Sequence, residues 1–223
     1  RIYRFAAGKT QAFNGLSSCC LAGAAYAGFH LRMKKTWIPI PLDWLAAVLA
    51  ALTAGVVYGL TLAPSVTLEF SGVWVVSADY FGVGRVPGYP VWTLLNGLAE
   101  KFLPFHYQGH PNPAGAVNMM SAALGAMTAG GVALLASRGG RLLLLNRGDV
   151  ETREMAVNNA AAGFAAGLCY ALGRIVWSQS VIVEVYSLNC FFQMIILLLT
   201  YRWMCRPKED SILYITSFLF GLG

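Results

Sequence analysis

The sequence predicts an all-α protein that crosses a membrane several times, and three observations carry that reading. Hydrophobic residues make up 57% of the 223 positions and charged residues only 12%, about half the charged share of a soluble domain. The apolar residues are gathered into windows at 43–63, 115–137, 155–177 and 181–201. Each is close to the ~20 residues that a helix rising about 1.5 Å per residue needs to cross ~30 Å of hydrocarbon. The basic residues collect at the ends of those windows, as the positive-inside rule requires.

Taken in chain order, residues 1–42 form an N-terminal segment that is only partly apolar. Its window at 13–31 is rich in Gly, Ala, Ser and Cys. A full crossing there sets Arg1, Arg4 and Lys9 against the charge rule, so the segment is read as interfacial or only partly entering the bilayer. Residues 43–223 form the transmembrane domain, whose first window leads into a long connection, 64–114. Within it, 68–80 is apolar enough for a short helix. Pro87-Gly88-Tyr89-Pro90 then forces a turn, because proline lacks an N–H donor and biases its predecessor away from helix. Val91, Leu94, Leu95, Leu98 and Phe102 recur at helical spacing with Glu100 and Lys101 opposite, the pattern of a helix lying in the membrane interface. A polar loop at 106–113 precedes the next window. The chain opens on Arg1 and ends in a window, 211–223, too short to cross, so it is expected to be part of a longer protein, truncated at its C-terminus.

The formal net charge is +6, but its distribution excludes a nucleic-acid reading. The clusters are Arg32, Lys34 and Lys35; Arg138, Arg141, Arg147 and Arg153; and Arg202, Arg206 and Lys208. They lie two windows apart, which places 31–42, 138–154 and 202–210 in the cytoplasm and 64–114 on the periplasmic, lumenal or extracellular side. Anionic membrane lipids are the expected partners of these clusters. Of five cysteines, Cys19, Cys20, Cys169 and Cys190 fall in apolar windows and Cys205 in a cytoplasmic loop. Their number and spacing build neither a disulfide framework nor a metal site. His106 and His110 lack a third ligand at recognisable spacing, so no metal and no cofactor is expected.

The connection carries the candidate chemistry. Glu69 follows the first window closely enough to lie near the headgroups, where a carboxylate can deprotonate a hydroxyl next to a lipid-borne substrate; the plain alternative is a solvated loop acid. Asp79 is the second candidate. On one continuous helix the two stand ~15 Å apart and about 80° around the axis, so one base is expected rather than a pair. Arg85, Lys101, His106 and His110 add cationic or titratable groups suited to a phosphate. Arg174 and Glu184 sit about one turn inside the membrane edge on successive windows. Either they neutralise each other, or Arg174 binds a donor phosphate that Glu184 orients. Asn118 enters the second strong window and is read as a helix–helix hydrogen bond or a binding residue.

Four blocks of the chain, TLAPSVTLExSG, xGVxxxPGYPxW, VNxxSAxxGA and VWSxxxxxEVYSLN, stand in the order and spacing of a known family. Together, over roughly residues 51–201, they resemble the protein O-mannosyltransferase-like polytopic membrane proteins of the glycosyltransferase C-type superfamily. The resemblance implies a GT-C-like transmembrane bundle with short interfacial helices in its first outer loop. It also implies transfer of a sugar, typically mannose, from a polyprenyl-phosphate carrier to Ser or Thr of an acceptor protein. In such an enzyme a first-loop carboxylate removes the hydroxyl proton and cationic groups hold the phosphate. This assigns Glu69 and Asp79 to catalysis, and Arg85, Tyr89, Asn118, Arg174 and Glu184 to donor or substrate binding.

The chain departs from the resembled pattern in its first loop. Phe70-Ser71-Gly72-Val73 stands where the family reads approximately Asp-Ser-Gly-Glu, Arg85-Val86 stands where it favours His-Pro, and Ala116 replaces an arginine. Two readings follow: a lipid-linked-sugar transferase using Glu69 or Asp79, and a non-catalytic relative that serves as a structural subunit of a larger membrane complex. A transporter or channel fits least, since no window carries a charge at mid-depth and no inverted repeat is visible.

Overall fold

The computed structural model describes residues 41–67, 70–86, 88–144, 152–205 and 209–222. The N-terminal segment and its window at 13–31 lie outside the described residues, as do Glu69, Arg147, Arg206 and Lys208. The helices are α1 (Pro41–Leu60), α2 (Ser71–Asp79), α3 (Pro90–Phe102), α4 (Pro113–Leu144), α5 (Arg153–Ala171), α6 (Arg174–Ser180), α7 (Tyr186–Cys205) and α8 (Asp210–Leu222). The one departure from an all-α fold among them is a two-residue hairpin, β1 (His106–Tyr107) and β2 (His110–Pro111), paired antiparallel. Gln108 and Gly109, both at positive φ, turn it.

Stretches in α1, α4 and α7, namely Leu42–Leu60, Pro113–Leu142 and Tyr186–Cys205, are long and apolar enough to cross a bilayer. The chain is a multi-pass helical membrane protein. The window expected as one span at 155–177 is instead broken. α5 ends at Ala171, and α6 follows at an angle of 67°. The break falls at Leu172-Gly173, where Gly173 N–H donates to the Tyr170 carbonyl and Gly173 leaves the helical region at φ −57° and ψ 127°. The window expected at 181–201 likewise becomes helical only from Tyr186. The bent α6 is tied to the end of α1: the Trp177 indole donates to Thr61 Oγ1 at 2.9 Å and Ala63 N–H to the Val181 carbonyl at 3.0 Å.

α4 is the hub, packed against α1, α5, α7 and the short helices. Lipid tails are as apolar as side chains, so helices associate there by close packing of small residues rather than by escape from water. Ala50, Ala54, Ala122, Ala126, Ala129, Ala133 and Ala171 accordingly fill the contact layers. Gly163 and Gly167 of α5 lie so close to α4 that an added Cβ would stand 2.5 Å from the Ala133 carbonyl oxygen and 2.8 Å from that of Ala129.

At the other end of the bundle α4 runs past its expected limit to Leu144, ~48 Å of helix. Arg138 and Arg141, expected in a loop, are therefore helical and buried. Arg141 Nη2 donates to both carboxylate oxygens of fully buried Asp43 at 2.9 and 2.8 Å, and Arg138 lies 5.6 Å from the Trp44 ring centroid. Cys205, also expected in a loop, is the last residue of α7 and fully buried.

Removing one partner of a buried ion pair strands the other charge. Asp43→Leu is therefore expected to lower stability by about 3 kcal/mol or more, while Asp43→Leu with Arg141→Leu recovers most of the loss. Thermal unfolding in mild detergent checks this.

Candidate functional site

The connection between α1 and α4 is held down by amides. Asn118, fully buried in α4, donates from Nδ2 to the Ala63 carbonyl at 2.8 Å, and Asn112 donates to the Pro64 carbonyl at 2.7 Å. Asn118 thus anchors the chain leaving α1, rather than joining two helices as expected. Its buried Oδ1 has no hydrogen-bond partner.

Aromatic packing then fixes the short helices. Trp74 of α2 meets Tyr89 and Trp92 edge-on, at centroid distances of 5.6 and 5.4 Å. The Trp92 indole donates to the Glu184 carbonyl at 3.2 Å, linking the connection to the segment before α7. α3 forms over the stretch whose periodicity predicts a helix, with Leu94, Leu98 and Phe102 exposed. Its opposite face turns inward onto α2 and α4 rather than toward water, burying Trp92, Thr93, Asn96, Gly97 and Ala99. At Gly97 a Cβ would stand 2.5 Å from the Ala78 carbonyl, so α2 and α3 touch backbone to backbone.

The segment from Phe81 to Arg85 doubles back along α2. Gly82 N–H donates to the Ser77 carbonyl at 2.8 Å, Gly84 packs on Ser77 and Trp74, and the Arg85 guanidinium lies 4.4 Å from the centroid of Phe70. Gly88, at φ 92°, supplies the positive φ that the Pro-Gly-Tyr-Pro turn needs. Tyr89 then separates two cavities. One, of about 230 Å³, is shared with Trp92, Leu188, Asn189 and Leu222. The other, of about 360 Å³, is shared with Phe81, Val83, Thr93 and Leu94.

The expected site residues are only partly brought together. Asp79 ends α2 and is exposed. Arg85 and Tyr89 lie on one loop, and the Glu184 backbone joins their aromatic support. Arg174, the first residue of α6, is exposed, whereas Glu184 is buried. The mutual ion pair considered for them is not formed among the described residues. Two of the departures from the resembled pattern, Phe70 and Arg85, touch each other in a cation–π contact.

Sequence reasoning missed Glu100. Both its carboxyl oxygens are buried without a hydrogen-bond partner, and its pKa is raised from 4.5 to about 7, first by burial and then by the charge of Asp79. Lys101 offers no neutralising bond among the described residues; its Nζ lies 4.4 Å from the Phe81 ring centroid. The available signal was Asn96-Gly97-x-x-Glu100, which puts two polar groups on one face of α3 beside the glycine that admits α2.

A model of the N-terminal domain of protein O-mannosyl-transferase TMEM260 matches residues 71–223. The chain belongs to that family. It is 30% identical over 190 residues to a Mus musculus protein named protein O-mannosyl-transferase TMEM260, an alignment covering 84% of this chain and 24% of the relative. A Dictyostelium discoideum protein of the same name is 24% identical over 189 residues, covering 79% of this chain and 20% of the relative. The chain thus spans about a quarter or less of the length of these relatives. No solved structure matches it.

The Glu100 shift sets a pH dependence. Below about pH 4.5 the group is protonated whether the chain is folded or not. Between there and about pH 7 the unfolded chain releases the proton while the folded chain retains it, so stability falls across that interval and levels above it. Glu100→Gln is expected to remove this slope and to raise stability at pH 8 by about 1 kcal/mol, allowing for solvent screening. Unfolding midpoints from pH 4.5 to 8 measure it.

Proposed function

We propose that this chain is the N-terminal membrane part of a protein O-mannosyl-transferase that takes mannose from a polyprenyl-phosphate carrier. The acceptor is the Ser or Thr hydroxyl of a protein on the outer or lumenal face. The observation that carries the proposal is family membership over two-thirds of the chain, and the exposure of Asp79, Arg85 and Lys101 in the first connection supports it. In this reading Glu69, or exposed Asp79, accepts the hydroxyl proton as the acceptor oxygen attacks the sugar C1. The C1–phosphate bond breaks, and the departing polyprenyl phosphate is held by cationic groups, Arg85 foremost.

The Phe70–Arg85 contact supports a second reading, a non-catalytic relative acting as a subunit of a membrane complex. Phenylalanine at the vacated acid position cannot accept a proton, and its ring engages the cation that would otherwise serve a phosphate.

Mannose transfer by the full-length protein in nanodiscs separates the two. In the enzyme reading, Glu69→Gln or Asp79→Asn lowers transfer at least a hundredfold at unchanged folded yield. In the subunit reading the parent transfers nothing, and it is purified in a stoichiometric complex with other membrane proteins.

A further inference from the structure

Both carboxyl oxygens of Glu100 are buried and without a hydrogen-bond partner, and so is Oδ1 of Asn96, a residue 1% exposed. The two residues stand four apart and share one face of α3. A helical side chain leans toward the N-terminus, which carries the Glu100 carboxyl back over the turn of Asn96. The Asn96 amide has a fixed orientation. Its Nδ2 donates to the Trp92 carbonyl of the same helix at 2.9 Å, which turns Oδ1 away from that backbone. α2 closes onto this face at Gly97, where it brings the Ala78 carbonyl against α3. Asp79, the next residue, is near enough for its charge to act on Glu100. It is also the last residue of α2, where the negative end of the helix dipole adds to its charge. The neighbouring cation is directed elsewhere, with Lys101 Nζ 4.4 Å from the Phe81 ring centroid.

Buried oxygens without donors are costly, and here three of them stand beside a second carboxylate and the negative end of a helix. One cation satisfies them all. We propose that Asn96, Glu100 and Asp79 bind a calcium ion. Both Glu100 oxygens and Asn96 Oδ1 hold it on the buried side, exposed Asp79 closes it on the solvent side, and water completes the shell. No trio of His, Cys, Asp and Glu gathers among the described residues; the third donor here is an amide. An all-oxygen set with a glutamate and an amide carbonyl suits calcium, which takes about six to eight oxygens in flexible geometry. Magnesium demands a tighter octahedron, and zinc favours nitrogen and sulfur. Two carboxylates and one amide set the affinity on the order of 10⁻⁴ to 10⁻³ M. An ion there ties the end of α2 to α3, whichever function the chain serves, so the site does not rest on sugar transfer.

The test uses the full-length protein in neutral-lipid nanodiscs, stripped of divalent ions, with terbium as a luminescent stand-in for calcium. Trp92, one turn before Asn96, and Trp74 packed against it sensitise an ion bound at this site. Expected is terbium luminescence on tryptophan excitation, displaced by calcium in the affinity range given above but not by magnesium at equal concentration. Calcium alone should also raise the melting temperature. Glu100→Gln should weaken both responses at least tenfold in the concentration required. Asp79→Asn, at an exposed position that does not carry the fold, should do the same and keeps the test valid if the Glu100 variant folds poorly. Responses equal in the parent and in a folded variant overturn the site in favour of ions held at the general surface. Equal displacement by magnesium overturns the assignment to calcium. No luminescence, with melting unmoved by calcium, overturns the site altogether and leaves Glu100 to be neutralised by a proton.

Discussion

The closeness with which other helices approach α4 is the constraint on which the fold depends. In a bilayer no apolar surface is gained by helix association, so the contacts must come from tight packing and from hydrogen bonds. Gly163 and Gly167 let α5 lie against the α4 backbone. Once they do, the remaining small residues of α1 and α5 have one productive register. α6 then leaves this packed unit at a sharp angle, because the helix stops at Leu172-Gly173 and its continuation finds partners on the end of α1 instead.

The two ends of α4 are treated differently. One is closed by charge: Asp43 and Arg141 neutralise each other inside the bundle, a stable arrangement only while both are present. The other end carries the 61–112 connection, held by neutral amides and aromatic edges: Asn118 and Asn112 on the backbone leaving α1, and Trp74 against Tyr89 and Trp92. Such contacts position a loop without neutralising its charges. Asp79, Arg85 and Lys101 stay at the surface, available to a charged ligand.

Glu100 is the exception at that end, a buried acid beside another acid. Gly97, one turn earlier, lets Ala78 and Phe81 settle onto α3. The same close contact fixes Phe81, where the chain leaves α2, four residues before Arg85 stacks over Phe70. Residues absent from any simple catalytic pattern thereby decide where the cation of the connection points.

Much of this architecture was legible in the sequence. Window length gave the crossing helices, the Pro-Gly-Tyr-Pro run gave the turn before α3, and the period of Leu94, Leu98 and Phe102 gave that helix and its exposed face, since such patterns reflect local geometry and hydropathy alone. Four motif blocks gave the family. What only the tertiary structure decided were the outcomes that depend on a partner distant in sequence. Hydropathy cannot separate a straight span from one bent at Gly173, because the bend is chosen by Thr61 and the segment it meets. It reads Arg138 and Arg141 as loop residues, because it cannot know that Asp43 waits 98 residues away to neutralise one of them. A polar face on α3 suggests water; only packing reveals that α2 and α4 cover it, leaving Glu100 with a raised pKa and Phe70 beneath Arg85. Local pattern set the elements, and burial by remote neighbours set the charges.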